Sequence, residues 1–374
     1  MPGALERRAV VTPAELGRLR RILVVKLSSL GDIVHVTPCL RALRRSCPAA
    51  EITMAVDRRF AALVRGGPYV DETIEVESGR TRLANWLAPW RHLAGRRRPS
   101  FDLAIDFQGT RRSAHWVYAS GARVRAGVLR VGGAAWRPGW AAAVRANPTR
   151  HAVRVNADVA EAVGIAVDRL DPELRVSRDA DERCAARLAA TGVPARDFVL
   201  VNPFTRWPSK SWPVDRYRAL VDGLVRDRVG PIVVHAGPGE ELGLEPFRHR
   251  AVGSDVSVVG GLPLEESLAL FARARLMVTG DTGPMHCAAA LGVPVVALFG
   301  PTWPERTGPW GAGHRIVQRS RPASHYAYRT DAACEHIRAI DVSTVHRAVL
   351  DALAGGPTAP APSSGSATPV APRP

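Results

Sequence analysis

Short apolar runs and helix-periodic stretches alternate along the chain. In the first half RILVVK (21–26), EITMAV (51–56), TIEV (73–76) and FDLAIDF (101–107) read as strands. Continuous apolar runs of this kind suit a parallel sheet covered on both faces. Between them CLRALRR, RRFAALVR and TRLANWLAPWRHLAG place apolar residues at helical spacing. The second half repeats the style with FVLVNP (198–203), PIVVHAG (231–237), VSVVGG (256–261), RLMVTGD (275–281) and VPVVALFG (293–300). Helices are expected at 213–227, 239–251, 264–273 and 284–291. Two such blocks imply an α/β protein of two doubly wound domains. The polar stretch LDPELRVSRDADERC breaks the rhythm within 170–197, which divides the chain into domains of residues 1–175 and 176–354. A last helix is expected over 342–354, and the Pro-, Ala- and Ser-rich residues 355–374 read as a disordered tail with nothing to bury.

Composition narrows the classes. The chain has 374 residues, 46% hydrophobic and 23% charged, which suits a globular protein with a sizeable core. No apolar run reaches the roughly 18 residues of a membrane-spanning helix, and MPGALERRAVV has no stretch suited to a signal peptide. The expected location is therefore cytoplasmic. Five scattered cysteines, Cys39, Cys47, Cys184, Cys287 and Cys334, form no CxxC pair. They argue against a disulfide framework and against a zinc or iron–sulfur site, so no metal is expected. The net charge of +16 is almost entirely arginine, since Lys26 and Lys210 are the only lysines. It points either to an anionic partner or to a solvated surface written in arginine. Nucleic acid is disfavoured, because no helix-turn-helix, zinc or RNA-recognition signature is present.

Ligands of open α/β sheets sit outside the carboxyl ends of the strands, so the loops there hold the candidate chemistry. In VTGDTGPMHCAAALG the turn Gly280–Gly283 leads into a helix with Pro284 in its first turn. The free N–H groups and dipole of such a helix start suit a phosphate, and Thr282 and His286 can add hydrogen bonds. Asp281 would repel a phosphate. It reads as a helix cap, or as an acceptor from a hydroxyl or a backbone N–H. In VNPFTRWPSKSWP, Thr205, Ser209 and Lys210 follow a strand, and an ammonium there can neutralise a diphosphate or simply be solvated. In HAGPGEELGLEPF, Glu240 or Glu241 can hold ribose hydroxyls or merely complement a helix dipole. KLSSLGDIVH lacks both GxxxxGK[ST] and GxGxxG. Its Asp32 is either a helix cap or a general base facing the opposite domain. Gln108, Arg111 and Arg112 of DFQGTRRSA lie on the same edge, where arginines can bind carboxylates or phosphates or only coat a helix.

VKLSSLGDIVHVTPCLRALRR, DFQGTRRSA, the SKSWP stretch, GPGEE and TGDTGPMHCAAALGVPVVALFGPTWPERTGPWG together resemble glycosyltransferase family 9, over about residues 20–350. GDTGPMH…GVPVVALFGPT is the most specific of these. The resemblance implies a GT-B fold, two Rossmann-like domains facing a cleft, and inverting transfer of heptose from ADP-heptose to the Kdo-lipid A inner core of lipopolysaccharide without a bound metal or cofactor. It implies Asp32 as the general base, and Thr205, Lys210, Glu241, Asp281, Thr282, Gly283 and His286 as donor contacts. Gln108, Arg111 and Arg112 would then serve an anionic glycolipid acceptor, with peripheral association at the inner membrane. KLSSLGD and FQG are nearest the type I members. A type II-like acceptor, or an inactive nucleotide-binding scaffold, is the alternative. The chain departs from many relatives in keeping only Cys334 where they carry several cysteines before the last helix.

Overall fold

The computed structural model describes residues 10–77, 81–94, 100–129, 139–251 and 255–355. Its first sheet is built from β1 (Arg21–Val25), β2 (Glu51–Asp57), β3 (Glu72–Val76), β4 (Leu103–Asp106), β5 (Val124–Leu129) and β6 (Ala142–Arg145). Its second is built from β7 (Phe198–Asn202), β8 (Ile232–Ala236), β9 (Val256–Gly260), β10 (Ala274–Gly280), β11 (Val295–Leu298) and β12 (Arg315–Val317). The strand orders are β3-β2-β1-β4-β5-β6 and β12-β11-β10-β7-β8-β9, with every pairing parallel. Counted from its own first strand, each sheet therefore has the same order. The direction of winding reverses between β1 and β4 in one and between β7 and β10 in the other. These are the switch points where open α/β sheets leave a crevice.

The side-chain period of two explains why the strands read as unbroken apolar runs. In β1, Ile22 and Val24 enter one core while Leu23 and Val25 enter another on the opposite face. In β7, Phe198 and Leu200 face one core while Val199 and Val201 face the other. Both faces are covered, so there is no polar alternation to read. One of these cores holds residues of both sheets, among them Ile22, Ile105, Leu200 and Met277. The halves are joined by apolar contact as well as by the chain.

The structure adds three strands and reshapes two helices. β5, β6 and β12 were not expected from the sequence. The first carries Arg125 and Gly127, β6 alternates partly exposed residues around Val144, and β12 is only three residues long. Helix spacing in RRFAALVR is realised as a 3-10 helix, Arg58–Leu63, and the segment 239–251 opens as a 3-10 turn, Glu241–Leu244, before the helix Glu245–Ala251. The polar break expected at 170–197 contains the helix Arg178–Ala190. The expected final helix runs Val342–Leu353, and the tail from residue 356 onward lies outside the described residues. Among the described residues no helix is long and apolar enough to cross a membrane.

Candidate active site

At the first switch point the chain turns from β1 into the short helix Leu30–Val34. Lys26 follows the strand directly and is 1% exposed. Its Nζ donates to the Phe107 carbonyl at 3.0 Å, which ties the loop after β1 to the loop after β4. The same Nζ lies 3.6 Å from Asp32 Oδ1, while Asp32 Oδ2 accepts from the Ser29 backbone N–H at 3.1 Å and from the Ser29 hydroxyl at 2.8 Å. Asp32 therefore closes the first helical turn and still keeps a third of its side chain open to solvent. The cap and the exposed carboxylate are one arrangement, not alternatives.

Gln108 joins this group through its Oε1, which accepts from the Ser28 backbone N–H at 3.0 Å. The loop that carries it is shaped by Asp106, a fully buried carboxylate at the end of β4. Asp106 Oδ1 accepts from the Gln108 and Gly109 N–H groups, and Oδ2 accepts from the Ser113 hydroxyl. Thr110 and Ser113 then close the start of the helix Arg111–Ala119. Arg111 is exposed; Arg112 is half-buried, its guanidinium donating to the Glu77 carbonyl. Burial pulls the Arg112 pKa below its ordinary value against the opposing field of Asp57.

The second switch point is bridged by the other lysine. Lys210 Nζ donates to Asp281 Oδ2 at 2.6 Å and lies 4.8 Å above the Tyr328 ring. The sequence reading of Asp281 as a cap or as an acceptor from a hydroxyl or backbone N–H did not include this ammonium, which is its hydrogen-bond partner in the structure. Burial opposes the charge on Asp281, which is 5% exposed, yet the field and hydrogen bond of Lys210 hold its carboxyl below the ordinary value. Thr205 is held within its own loop, its hydroxyl donating to the Trp207 carbonyl at 2.9 Å and lying 2.8 Å from Ser211 Oγ. Trp212 packs that loop from inside, donating its Nε1–H to the Ile340 carbonyl, while Trp207 is partly exposed against Tyr328. Glu240 and Glu241 each close the Gly-Pro-Gly turn, accepting from the Gly237 and Gly239 N–H groups at 3.1 and 2.9 Å. Glu241 lies one strand further along the sheet, beside Gly260 and Gly261.

The two switch points face each other. Thr282 stands at the N-cap of the helix Gly283–Ala290, with Gly283 and Pro284 in its first turn. A Cβ on Gly283 would come within 2.6 Å of the Leu30 side chain, and one on Gly31 within 2.2 Å of the His286 ring. Only glycine lets the two helix starts approach this closely. His286 is buried, with Nδ1 at 3.1 Å from His35 Nε2, so its ring is turned to the opposite half. His35 in turn makes an edge contact with His151. The His151 Nδ1 accepts from the Val153 N–H, so its Nε2–H donates to the Gly308 carbonyl at 3.1 Å. Burial drives the pKa of His151 and of His286 down to about 4; Asp281 and Asp32 both oppose that shift at His286. Burial, then the fields of His286 and His151, pushes His35 down as well.

Thus Asp32, Gln108, Asp281, Lys210, Thr282, Gly283 and His286 come together, and Lys26, Asp106, His35 and His151 join them without having been singled out for the site. A cavity of about 350 Å³ lined by Tyr69, Glu173, Arg175 and Glu265 includes none of these residues. The strand-end chemistry, not this cavity, locates the site. Among the described residues no three His, Cys, Asp or Glu side chains are grouped to hold a metal.

Comparison with known proteins addresses the family and the fold. Residues 89–335 match the model of glycosyltransferase family 9 (heptosyltransferase). Lipopolysaccharide heptosyltransferase 1 of Pseudomonas aeruginosa is 30% identical over 303 residues, covering 78% of this chain and 81% of that protein. A family 9 glycosyl transferase from Veillonella parvula superposes with a TM-score of 0.77 at 23% identity, over 90% of this chain and 98% of that one. The E. coli heptosyltransferase WaaC, solved with ADP, gives 0.67 at 21% identity, over 89% and 99%. The fold is that of the GT-B heptosyltransferases, and the chain belongs to glycosyltransferase family 9, the heptosyltransferases of lipopolysaccharide core synthesis.

Proposed function

We propose that this transferase moves heptose from ADP-heptose to a Kdo-lipid A acceptor, with inversion at the anomeric carbon. The observation that carries the reading is that the chain's two lysines each bridge one switch point and meet its two central carboxylates, Lys26 with Asp32 and Lys210 with Asp281. Two facing crevices, each with a cation beside an acid, suit a reaction in which one side activates a hydroxyl and the other receives a departing diphosphate.

On this reading residues 1–175 hold the acceptor and residues 176–354 the donor. Asp32 takes the proton from the attacking hydroxyl as the new glycosidic bond forms. Lys26 keeps that carboxylate oriented. ADP leaves from the opposite face of the sugar. Lys210 and the N–H groups opening the helix at Gly283 stabilise the negative charge that develops on the diphosphate. When phosphate oxygens take the ammonium, Asp281 is released to accept from a sugar hydroxyl. Thr205, Thr282 and His286 line the same side, and Glu241 serves the ribose. Gln108, Arg111 and Arg112 receive the anionic groups of the acceptor. ADP in the E. coli relative supports the donor class, and the similarity to a heptosyltransferase 1 supports the acceptor. A lipid-borne acceptor puts the enzyme at the cytoplasmic face of the inner membrane as a peripheral protein.

The test is incubation of purified protein with ADP-heptose and Kdo-lipid A. One heptose added per acceptor, with stoichiometric ADP, is the expected result. Turnover only on an acceptor that already carries heptose would move the chain to the type II reaction, and ADP binding without any product would leave a nucleotide-binding scaffold.

A further inference from the structure

The helices Arg82–Ala94 and Arg111–Ala119 lie side by side on the first sheet and carry an aromatic surface that the fold does not use. Trp86 is 58% exposed, Trp90 40%, Tyr118 41% and Leu87 36%. Trp86 and Trp90 are four residues apart and share one helix face. Both rings contact His115 of the neighbouring helix, and the Trp90 Nε1–H donates to His115 Nε2 at 3.0 Å. Trp90 also meets Tyr118 edge-on, and the Arg125 guanidinium lies 5.6 Å over the Tyr118 ring. Trp86, Trp90 and Tyr118 are thus one connected patch rather than scattered surface residues.

Its charge is one-sided. Neither helix contains an aspartate or glutamate, whereas Arg91 and Arg111 are exposed and Arg112 and Arg125 are partly so. The patch shares a helix with the edge of the site. The helix Arg111–Ala119 begins at the loop that brings Gln108 against Ser28, and the rise of the helix sets Tyr118 about 10 Å from Arg111. Amphipathic aromatic rings beside arginines, without acids, match the headgroup layer of an anionic bilayer. There tryptophan and tyrosine partition at the interface and arginine meets lipid phosphate.

We propose that Trp86, Leu87, Trp90 and Tyr118, with Arg91 and Arg125, form a docking surface for an anionic phospholipid membrane. Docking there holds the half of the molecule that carries Asp32 against the leaflet in which a lipid-anchored sugar lies. This deepens the acceptor reading given above, but its test requires neither donor nor acceptor.

The experiment is co-sedimentation of the full chain with vesicles of phosphatidylcholine alone or mixed with phosphatidylglycerol, using wild type, the double variant Trp86→Ala/Trp90→Ala, and Arg91→Glu. The wild type is expected to bind the anionic vesicles, and more weakly as salt rises. The tryptophan pair is expected to lose about tenfold or more of that binding through lost apolar contact, and Arg91→Glu a smaller share through charge. Melting curves check that the substitutions, made at exposed positions, leave the fold intact. Transfer to a water-soluble, acyl-free Kdo acceptor is expected to be unchanged in the tryptophan pair. No binding to anionic vesicles by wild type, or equal binding by the double variant, would overturn the proposal even if transfer is confirmed. Binding that follows the patch would uphold it even if the sugar chemistry proves different.

Discussion

The Lys210–Asp281 pair gives a prediction in which stability and chemistry separate. Both side chains are largely enclosed, at 15% and 5% exposure, and the contact is 2.6 Å. Lys210→Met removes the cation and leaves a buried carboxylate without its partner. Breaking such a pair costs roughly 3–5 kcal/mol, because the desolvation of the remaining charge is no longer offset. With a urea dependence of about 3 kcal/mol per molar, the midpoint should fall by roughly 1–1.7 M. Adding Asp281→Asn removes the stranded charge, so the double variant should recover most of the loss while donor binding stays impaired. The pH dependence follows from the depressed carboxyl of Asp281. A folded-state pKa below the unfolded value contributes stability that is present above the unfolded pKa of about 3.9 and disappears as pH falls through the folded one. In Lys210→Met the same carboxyl has lost its cation and is governed by burial, so acid should relieve it. The gap between wild type and Lys210→Met should therefore narrow as pH drops from 8 toward about 5. Urea unfolding at several pH values, with ADP titrations alongside, reads both effects. An unchanged midpoint in Lys210→Met, or wild-type ADP affinity in the double variant, would refute the reasoning.

Three further outcomes are expected. Gly31→Ala puts a methyl group where the His286 ring lies, and should cost about 1–3 kcal/mol by overpacking and lower transfer, readable by urea unfolding and turnover. His35, His151 and His286, like His235 and His325, have folded pKa values below the ordinary 6.5. Below about pH 6.5 the unfolded chain therefore takes up protons that the folded chain refuses, and each histidine removes up to about 1.4 kcal/mol per pH unit until it protonates. Melting temperatures should fall from pH 7.5 toward 5 and fall less steeply in His35→Gln. Cys39, Cys47, Cys184 and Cys287 are buried and Cys334 is half-buried, all unpaired. A thiol reagent should accordingly titrate no more than Cys334 in the native chain and all five cysteines in denaturant.

The architecture was legible wherever a strand is buried on both faces. β1, β7 and β10 carry the apolar runs ILVV, FVLV and LMV and lead into Ser, Asn or Gly turns, so both the strands and the loops that carry chemistry could be read directly. β6 and β12 are short outer strands whose partly exposed residues dilute that signal. β5 is interrupted by Arg125 and Gly127, and the same letters also fit a helix surface. The partners inside the site were harder to see, because they are set by topology rather than spacing. Lys210 meets Asp281 across 71 positions, and His35 meets His286 across 251. Asp106 read as the polar end of a strand, though its carboxylate shapes the loop that carries Gln108. The scarcity of lysine was the useful clue. Only two occur, and each lies at a switch point.

The central claim is a division of labour between facing switch points, and Asp32→Asn tests it most directly. The substitution keeps the shape of the side chain and removes the charge beside Lys26. ADP affinity and single-turnover transfer from ADP-heptose should be measured on the same preparation of this variant. The account predicts ADP binding near wild type and transfer lowered by about 10²–10⁴-fold, the usual weight of a general base. Transfer at the wild-type rate, or ADP affinity lost together with transfer, would contradict it.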